Sequence, residues 1–343
     1  MVLTSSSPTL PLVDEPRRRR GHPLLVVIVI AALQLVLVLT FAWASSRATA
    51  HRVPIAVTGP ATASQAFIDG VRAAHPGAFA VTTTWDEAGA RSAVTGRDAY
   101  AAVVLPPDGA TIYTASGAAP SVATQLAAML PAAVTAVQPK ATVTVTDLAP
   151  NPRDDPHGSS LPAGLIPITI TSLVAGAAAG LMSRTRRTRV AAVILYAVIA
   201  GALSAVALQT LLGGLTGHLE RNAGVLALVC LAVSAATAAL TSLLKQFGAA
   251  LSALVVFFFG FPFSGVSSAW QYAPEPYGQI AQYLPVGAVN VALRSVAFFD
   301  GTAARLPLLV LGAWAGGGLL LCLFRGNPTV ARRRRPRPWM NEV

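Results

Sequence analysis

The sequence predicts a polytopic α-helical membrane protein, with six transmembrane helices and an α/β extracytoplasmic domain between the first and second. Three observations lead there. Residues 24–44, 163–182, 190–212, 223–244, 247–263 and 306–324 are apolar stretches without a single Asp, Glu, Lys or Arg. At about 1.5 Å per residue, each crosses or nearly crosses a hydrocarbon core roughly 30 Å thick. The arginines collect in the gaps between these stretches, and the one long polar segment, residues 45–160, alternates strand-like and helix-like runs.

At 54% hydrophobic residues and a mean hydropathy of +0.59, the chain is too apolar for an ordinary soluble domain. Its net charge of +11 is concentrated beside the apolar stretches, where topology and anionic headgroups account for it, so the expected partner is the lipid bilayer and not nucleic acid. A cytoplasmic N-terminus places 15 of the 25 Lys and Arg inside: Arg17–Arg20, the four arginines at 184, 186, 187 and 189, Lys245, and the six from Arg325 onward. That is the orientation the positive-inside bias selects, with both termini cytoplasmic in a plasma-membrane protein. Residues 1–23 and 325–343 then read as basic cytoplasmic tails.

The first stretch imitates a signal peptide, with Arg17–Arg20 before it and Ala48-Thr49-Ala50 after it. Its apolar run exceeds the length of a signal core, which favours an uncleaved anchor. Cys230 and Cys322 both fall within apolar stretches, leaving no thiol outside and no disulfide framework there.

In the domain at 45–160, Arg52 to Thr58 reads as a strand and Ala61 to His75 as a helix. Ala78 to Trp85 is a second strand, and Asp86-Glu87 opens a helix to Gly96 with acids at its positive end. Tyr100 to Leu105 has the near-continuous apolarity of a strand buried on both faces, and Pro106-Pro107-Asp108-Gly109 ends it as a turn. Ala110 to Ala115 is a strand, Ser121 to Gln138 a helix kinked at Pro131, and Ala141 to Asp147 a last strand. This order predicts a mixed sheet with helices. Residues 151–160 form a polar linker, in which Asp154, Asp155 and His157 read as an acidic stretch with a solvated His and not as a metal site.

Residues 161–324 form the five-helix part. Gly176 and Gly180, and likewise Gly312 and Gly316, have the spacing that lets helix backbones approach closely, which makes them helix-packing candidates. Gln34 and Gln209 read as interhelical hydrogen-bonding groups. The segment 264–305 carries Trp270, Tyr272 and Tyr277, then Val286 to Phe299, apolar but too short to span and broken by the single charge of Arg294. It reads as a re-entrant helix covered by others or as an interfacial amphipathic helix.

No Walker loop, metal-binding His/Glu motif, Cys pair or nucleophile elbow is present, so no enzyme activity and no cofactor is expected. No carboxylate lies within an apolar stretch, which argues against a proton-driven pump.

The strand Arg52 to Thr58 after the first span, the run Tyr100 to Asp108 (YAAVVLPPD) and the loop Tyr283 to Arg294 (YLPVGAVNVALR) resemble the membrane subunit of ABC-2 type permeases, most closely the phage-infection-protein (YhgE/Pip-like) branch. The resemblance covers residues 24 to 324. It implies half of a homodimeric export unit driven by a separate cytoplasmic ATPase, and makes Leu284, Pro285, Asn290 and Arg294 loop or gate candidates. The chain departs from the family between its second and third spans, where Ser183 to Arg189 is too short to offer an ATPase a coupling helix. The alternative is a non-transporting envelope protein whose external domain binds a partner or phage.

Overall fold

The computed structural model describes residues 23–324. The tails carrying Arg17–Arg20, Arg332–Arg335 and Arg337 lie outside the described residues.

Helix α1 (Pro23–Ser46) is continuous, and the apolar Val27, Ile28, Val29 and Ile30 are exposed on it. The α/β domain follows as β1 (Val53–Thr58), α2 (Ala61–Ala74), β2 (Phe79–Thr83), α3 (Glu87–Thr95), β3 (Ala101–Val104), β4 (Ala110–Thr114), α4 (Pro120–Val137) and β5 (Val143–Asp147). The sheet order is β2-β1-β3-β4-β5, parallel except where β4 runs antiparallel to β3. Side chains alternate across the sheet. Ile55, Val57, Ala101, Val103 and Ile112 meet Phe67 and Val71 of α2 and Leu126 and Leu130 of α4 on one face. On the other face Ala56 and Ala102 are small enough for α3 to approach through Ala90 and Val94. The Asp86 carboxylate accepts the Gly89 N–H at 2.7 Å and caps α3. Tyr113 on β4 holds the same helix by donating to Glu87 while Arg91 sits over its ring.

The helical bundle comprises α5 (Ser160–Met182), α6 (Arg186–Ala205), α7 (Leu219–Leu244), α8 (Gln246–Leu254), the short α9 (Phe261–Phe263), α10 (Tyr277–Ala281), α11 (Pro285–Phe298) and α12 (Arg305–Phe324). Two helices widen into π-helical turns, α6 at Val206–Leu211 and α8 at Val255–Gly260. Helix α7 is central, packing on α5, α6, α8, α11 and α12. Bulky apolar residues such as Ile170, Leu195, Ile199 and Leu309 face outward, as a surface that meets acyl chains requires.

Among the described residues seven helices are long and apolar enough to cross a membrane, and the sequence's apolar stretches fall on six of them. The seventh is α4, which is apolar because it covers the sheet. The segment read as the loop 183–189 is shorter than expected. Thr185 caps α6 through a reciprocal bond with Thr188, and Arg186 already begins the helix. Arg189 is accordingly buried on α6.

The glycine pairs divide. A Cβ on Gly176 would lie 2.4 Å from the Ser234 carbonyl oxygen, and one on Gly180 2.8 Å from that of Ala238, so both lie against α7. Among the described residues nothing lies within 4 Å of a Cβ built on Gly312 or Gly316, which corrects their reading as packing positions against those residues. On α12 the close approach is Gly318, 2.6 Å from the Ala235 backbone by the same measure. Spacing puts two glycines on one helix face without saying which face a neighbour covers.

Candidate functional site

The short helix before α12 organises the site. Leu284 is the residue before the helix and is half-buried, and Pro285 is its first helical residue, where a missing N–H costs nothing. Pro285 to Asn290, Ala292 to Ser295 and Ala297 are all buried. Of the two expectations for this segment, burial on this scale fits a helix covered by its neighbours and not an amphipathic helix on a surface.

Four residues apart, Asn290 and Arg294 share one helix face. Arg294 Nε donates to Asn290 Oδ1 at 3.1 Å, and its Nη1 donates to the Gly117 carbonyl of the α/β domain at 3.2 Å. Asn290 Nδ2 donates in turn to the Gly265 carbonyl at 3.1 Å. Helix α11 is thus fastened both to the loop before it and to the domain inserted far upstream.

A second arginine joins from the other side. Arg97, between α3 and β3 with a positive φ of 66°, donates through Nη1 to the Val291 carbonyl at 3.0 Å and to Ser295 Oγ at 2.5 Å. Its guanidinium lies 5.2 Å from the Phe299 ring centroid, a cation–π contact. Gly117 allows the approach, since a Cβ there would stand 2.7 Å from the Phe298 ring. Tyr100 donates to Gln271 Oε1 at 3.0 Å, and Ser121 donates to the Ser267 carbonyl at 3.0 Å. Burial lowers the Arg97 pKa, opposed by Tyr100. Burial raises that of the Tyr100 hydroxyl, against the pull of Arg97 and the Gln271 hydrogen bond, so Tyr100 stays a neutral donor.

Among the described residues Arg91 pairs with Glu87, and the His218 ring lies 3.5 Å from the Glu220 carboxylate. Neither Arg97 nor Arg294 has a carboxylate of the described residues within the 4.0 Å of an ion pair. Arg294 is 2% exposed. A guanidinium keeps its proton at physiological pH, so the junction buries a positive charge against neutral acceptors alone. Beside it lies a cavity of about 760 Å³ on which Arg294 opens, bounded by α4, the linker, the start of α5 and the end of α1.

A polar network continues along the far side of α11. Asn222 donates to Gln209 Oε1 and to the Thr216 carbonyl, both at 2.8 Å, and Thr216 donates to the Ala297 carbonyl at 2.5 Å. Gln209 sits in the π-helical turn of α6, and such turns recur at functional positions. Its bond to Asn222 at the start of α7 is interhelical; Gln34 is exposed on α1.

No protein-family model matches the chain, and no curated protein is similar to it. The site is therefore read from its own chemistry. Of the sequence candidates, Asn290 and Arg294 enter the junction, Pro285 begins their helix and Leu284 precedes it. Arg97, Gly117 and Gln271 carry no motif, and Tyr100 opens the run Tyr100 to Asp108 without standing out in it as a site residue; the one local hint is a charged pair, Arg97-Asp98, shortly before a fully buried strand.

In the linker Asp155 performs a structural task. It accepts from the backbone N–H groups of Ser159 and Ser160 at 2.8 and 2.9 Å and from both hydroxyls, closing the start of α5. Burial acts to raise its pKa, but the Ser160 and Ser159 hydrogen bonds outweigh it and hold the carboxylate below its ordinary value. Asp155→Asn is expected to cost about 1 kcal/mol at neutral pH, the difference between hydrogen bonds to a charged acceptor and to a neutral one. A folded pKa below the unfolded one means the contribution is full above about pH 4 and is lost as pH falls through the folded value. The thermal midpoints of the two proteins should therefore converge on acidification; a gap independent of pH would overturn this role.

Proposed function

We propose that the chain is the membrane subunit of an export-type permease of the ABC-2 class. In this reading α1, α5, α6, α7, α8 with its extension, and α12 are six spans, the α/β domain is extracytoplasmic and both termini are cytoplasmic. The substrate is a hydrophobic or envelope-directed amphiphile, and a separate ATPase supplies the energy. The observation that supports it best is the double fastening of α11 to the α/β domain by Arg97 and Arg294. A buried short helix so held transmits movement between the domain and the bundle, which is what an external gate needs.

Purification under mild detergent should recover a nucleotide-binding subunit, and Arg294→Ala or Pro285→Ala should abolish export while leaving membrane insertion intact. Wild-type export in both variants would sink the gate. Orientation is checked by cysteine labelling: Ser121→Cys should react from outside intact cells and Ser183→Cys should not.

Two observations favour the second reading, a non-transporting envelope protein that binds a partner. Trp85 is wholly exposed on the α/β domain, and Thr144 to Asp147 line an exposed edge strand, β5. On the side where an ATPase would dock, α5 and α6 are joined by residues 183–185 and α7 and α8 by Lys245 alone. Failure to recover an ATPase, together with loss of partner binding in Trp85→Ala, would decide for it.

A further inference from the structure

The cavity beside Arg294 has two kinds of wall. Toward the α/β domain it is polar, with Arg294, Ser116 and Gln125; toward the bundle it is lined by Phe41, Ile166 and Phe261. Phe41 and Ile166 are 44% and 45% exposed, on helices whose outer faces are apolar, so the greasy side of the cavity is continuous with the surface that meets lipid. The charge side is unbalanced. Arg294 is buried with no carboxylate of the described residues within ion-pair distance, and the nearby Asp155 is committed to Ser159 and Ser160. A cation kept at that cost, opening on a space within the range of ligand sites, calls for an anion from outside the protein. An anion on a water-soluble molecule would leave the apolar wall uncovered.

We propose that this cavity binds one anionic lipid, its oxyanion headgroup on Arg294 and its acyl chains leaving between Phe41 and Ile166. The head takes charge-assisted hydrogen bonds from the guanidinium, and the Ser116 hydroxyl, which accepts the Asn151 N–H, has its own proton to give. A zwitterionic choline head would bring a second cation beside Arg294 and Arg97 and is disfavoured. The site requires a bilayer but not transport, so it stands whichever reading of the function holds.

The test uses the full chain in detergent, titrated with spin-labelled phosphatidylglycerol or phosphatidylcholine. Both heads offer a phosphate oxyanion to Arg294, but only choline adds a cation beside the buried guanidinium. A like-charge contact in a partly dry site costs about 1.4 kcal/mol, so phosphatidylglycerol should bind about tenfold more tightly. Arg294→Gln should erase the preference. Because Arg294 also holds Gly117, a second variant separates binding from folding: Ala163→Phe, at an exposed position on the cavity wall, should erase the preference with no change in thermal midpoint. Equal affinity for the two lipids would overturn the proposal. So would an undiminished preference in Ala163→Phe, which would assign the lipid to the arginines at the other end of α5. Glycerol phosphate should fail to compete; competition at equal concentration would make the ligand a soluble phosphate ester and overturn the lipid assignment.

Discussion

Arg294→Ala is expected to destabilise the folded protein by about 3 kcal/mol and to lower its thermal midpoint by roughly 4 °C. Truncation removes the donors to Gly117 and to Asn290 Oδ1 and leaves both acceptors buried, at about 1–3 kcal/mol each. It also opens a void where the side-chain stem packed, adding about 2 kcal/mol. Against this stands the relief of a buried charge, worth several kcal/mol for a fully dry site. That relief is partial here because the guanidinium already borders a cavity, so the losses win. Arg294→Lys tests geometry against charge. An ammonium keeps the charge but lacks the planar fork that reaches two acceptors on different elements, so lysine should not restore the midpoint. Full rescue by lysine would show that charge alone matters.

The second large effect lies inside the bundle. Gly176→Ala is expected to cost about 3 kcal/mol, because the new Cβ would meet the Ser234 carbonyl at 2.4 Å and the Thr237 Cβ at 2.7 Å. Backbone cannot rotate aside as a side-chain tip does, so α5 and α7 must separate. Gly201→Ala should behave alike, since its Cβ would lie 2.4 Å from the Ala227 Cα. Gly312→Ala and Gly316→Ala should stay within about 0.5 kcal/mol of wild type, with nothing within 4 Å of the new atom. Thermal unfolding of the four variants in one detergent decides the matter. A loss at Gly312 or Gly316 equal to that at Gly176 would mean a contact beyond this chain.

The elements were legible because their signals are local. Arg52 to Thr58 became β1, Tyr100 to Leu105 became the fully buried β3, and Asp86 became the cap of α3, each as its own neighbours dictate. Part of the site was legible too. A lone arginine four residues after an asparagine in an apolar run is conspicuous in sequence, and both residues enter the junction. Arg97 was not legible. Its partner Ser295 lies 198 residues away, and no pattern near Arg97 encodes that distance.

Local signals along the chain suffice to say which stretches are apolar enough to enter a bilayer, where the strands and helices of the α/β domain begin, and that a short apolar segment carrying one charge precedes the last long helix. Hydropathy, capping and turn chemistry act over a few residues, so a single chain displays them. Packing across the fold settles the strand order with β1 between β2 and β3, the use of α4 as a cover for the sheet, the choice of Gly318 over Gly312 and Gly316, and the meeting of Arg97 and Arg294 on α11. Those outcomes depend on which surfaces fit one another across long separations in the chain, and complementarity of that kind belongs to pairs of elements and not to any one of them.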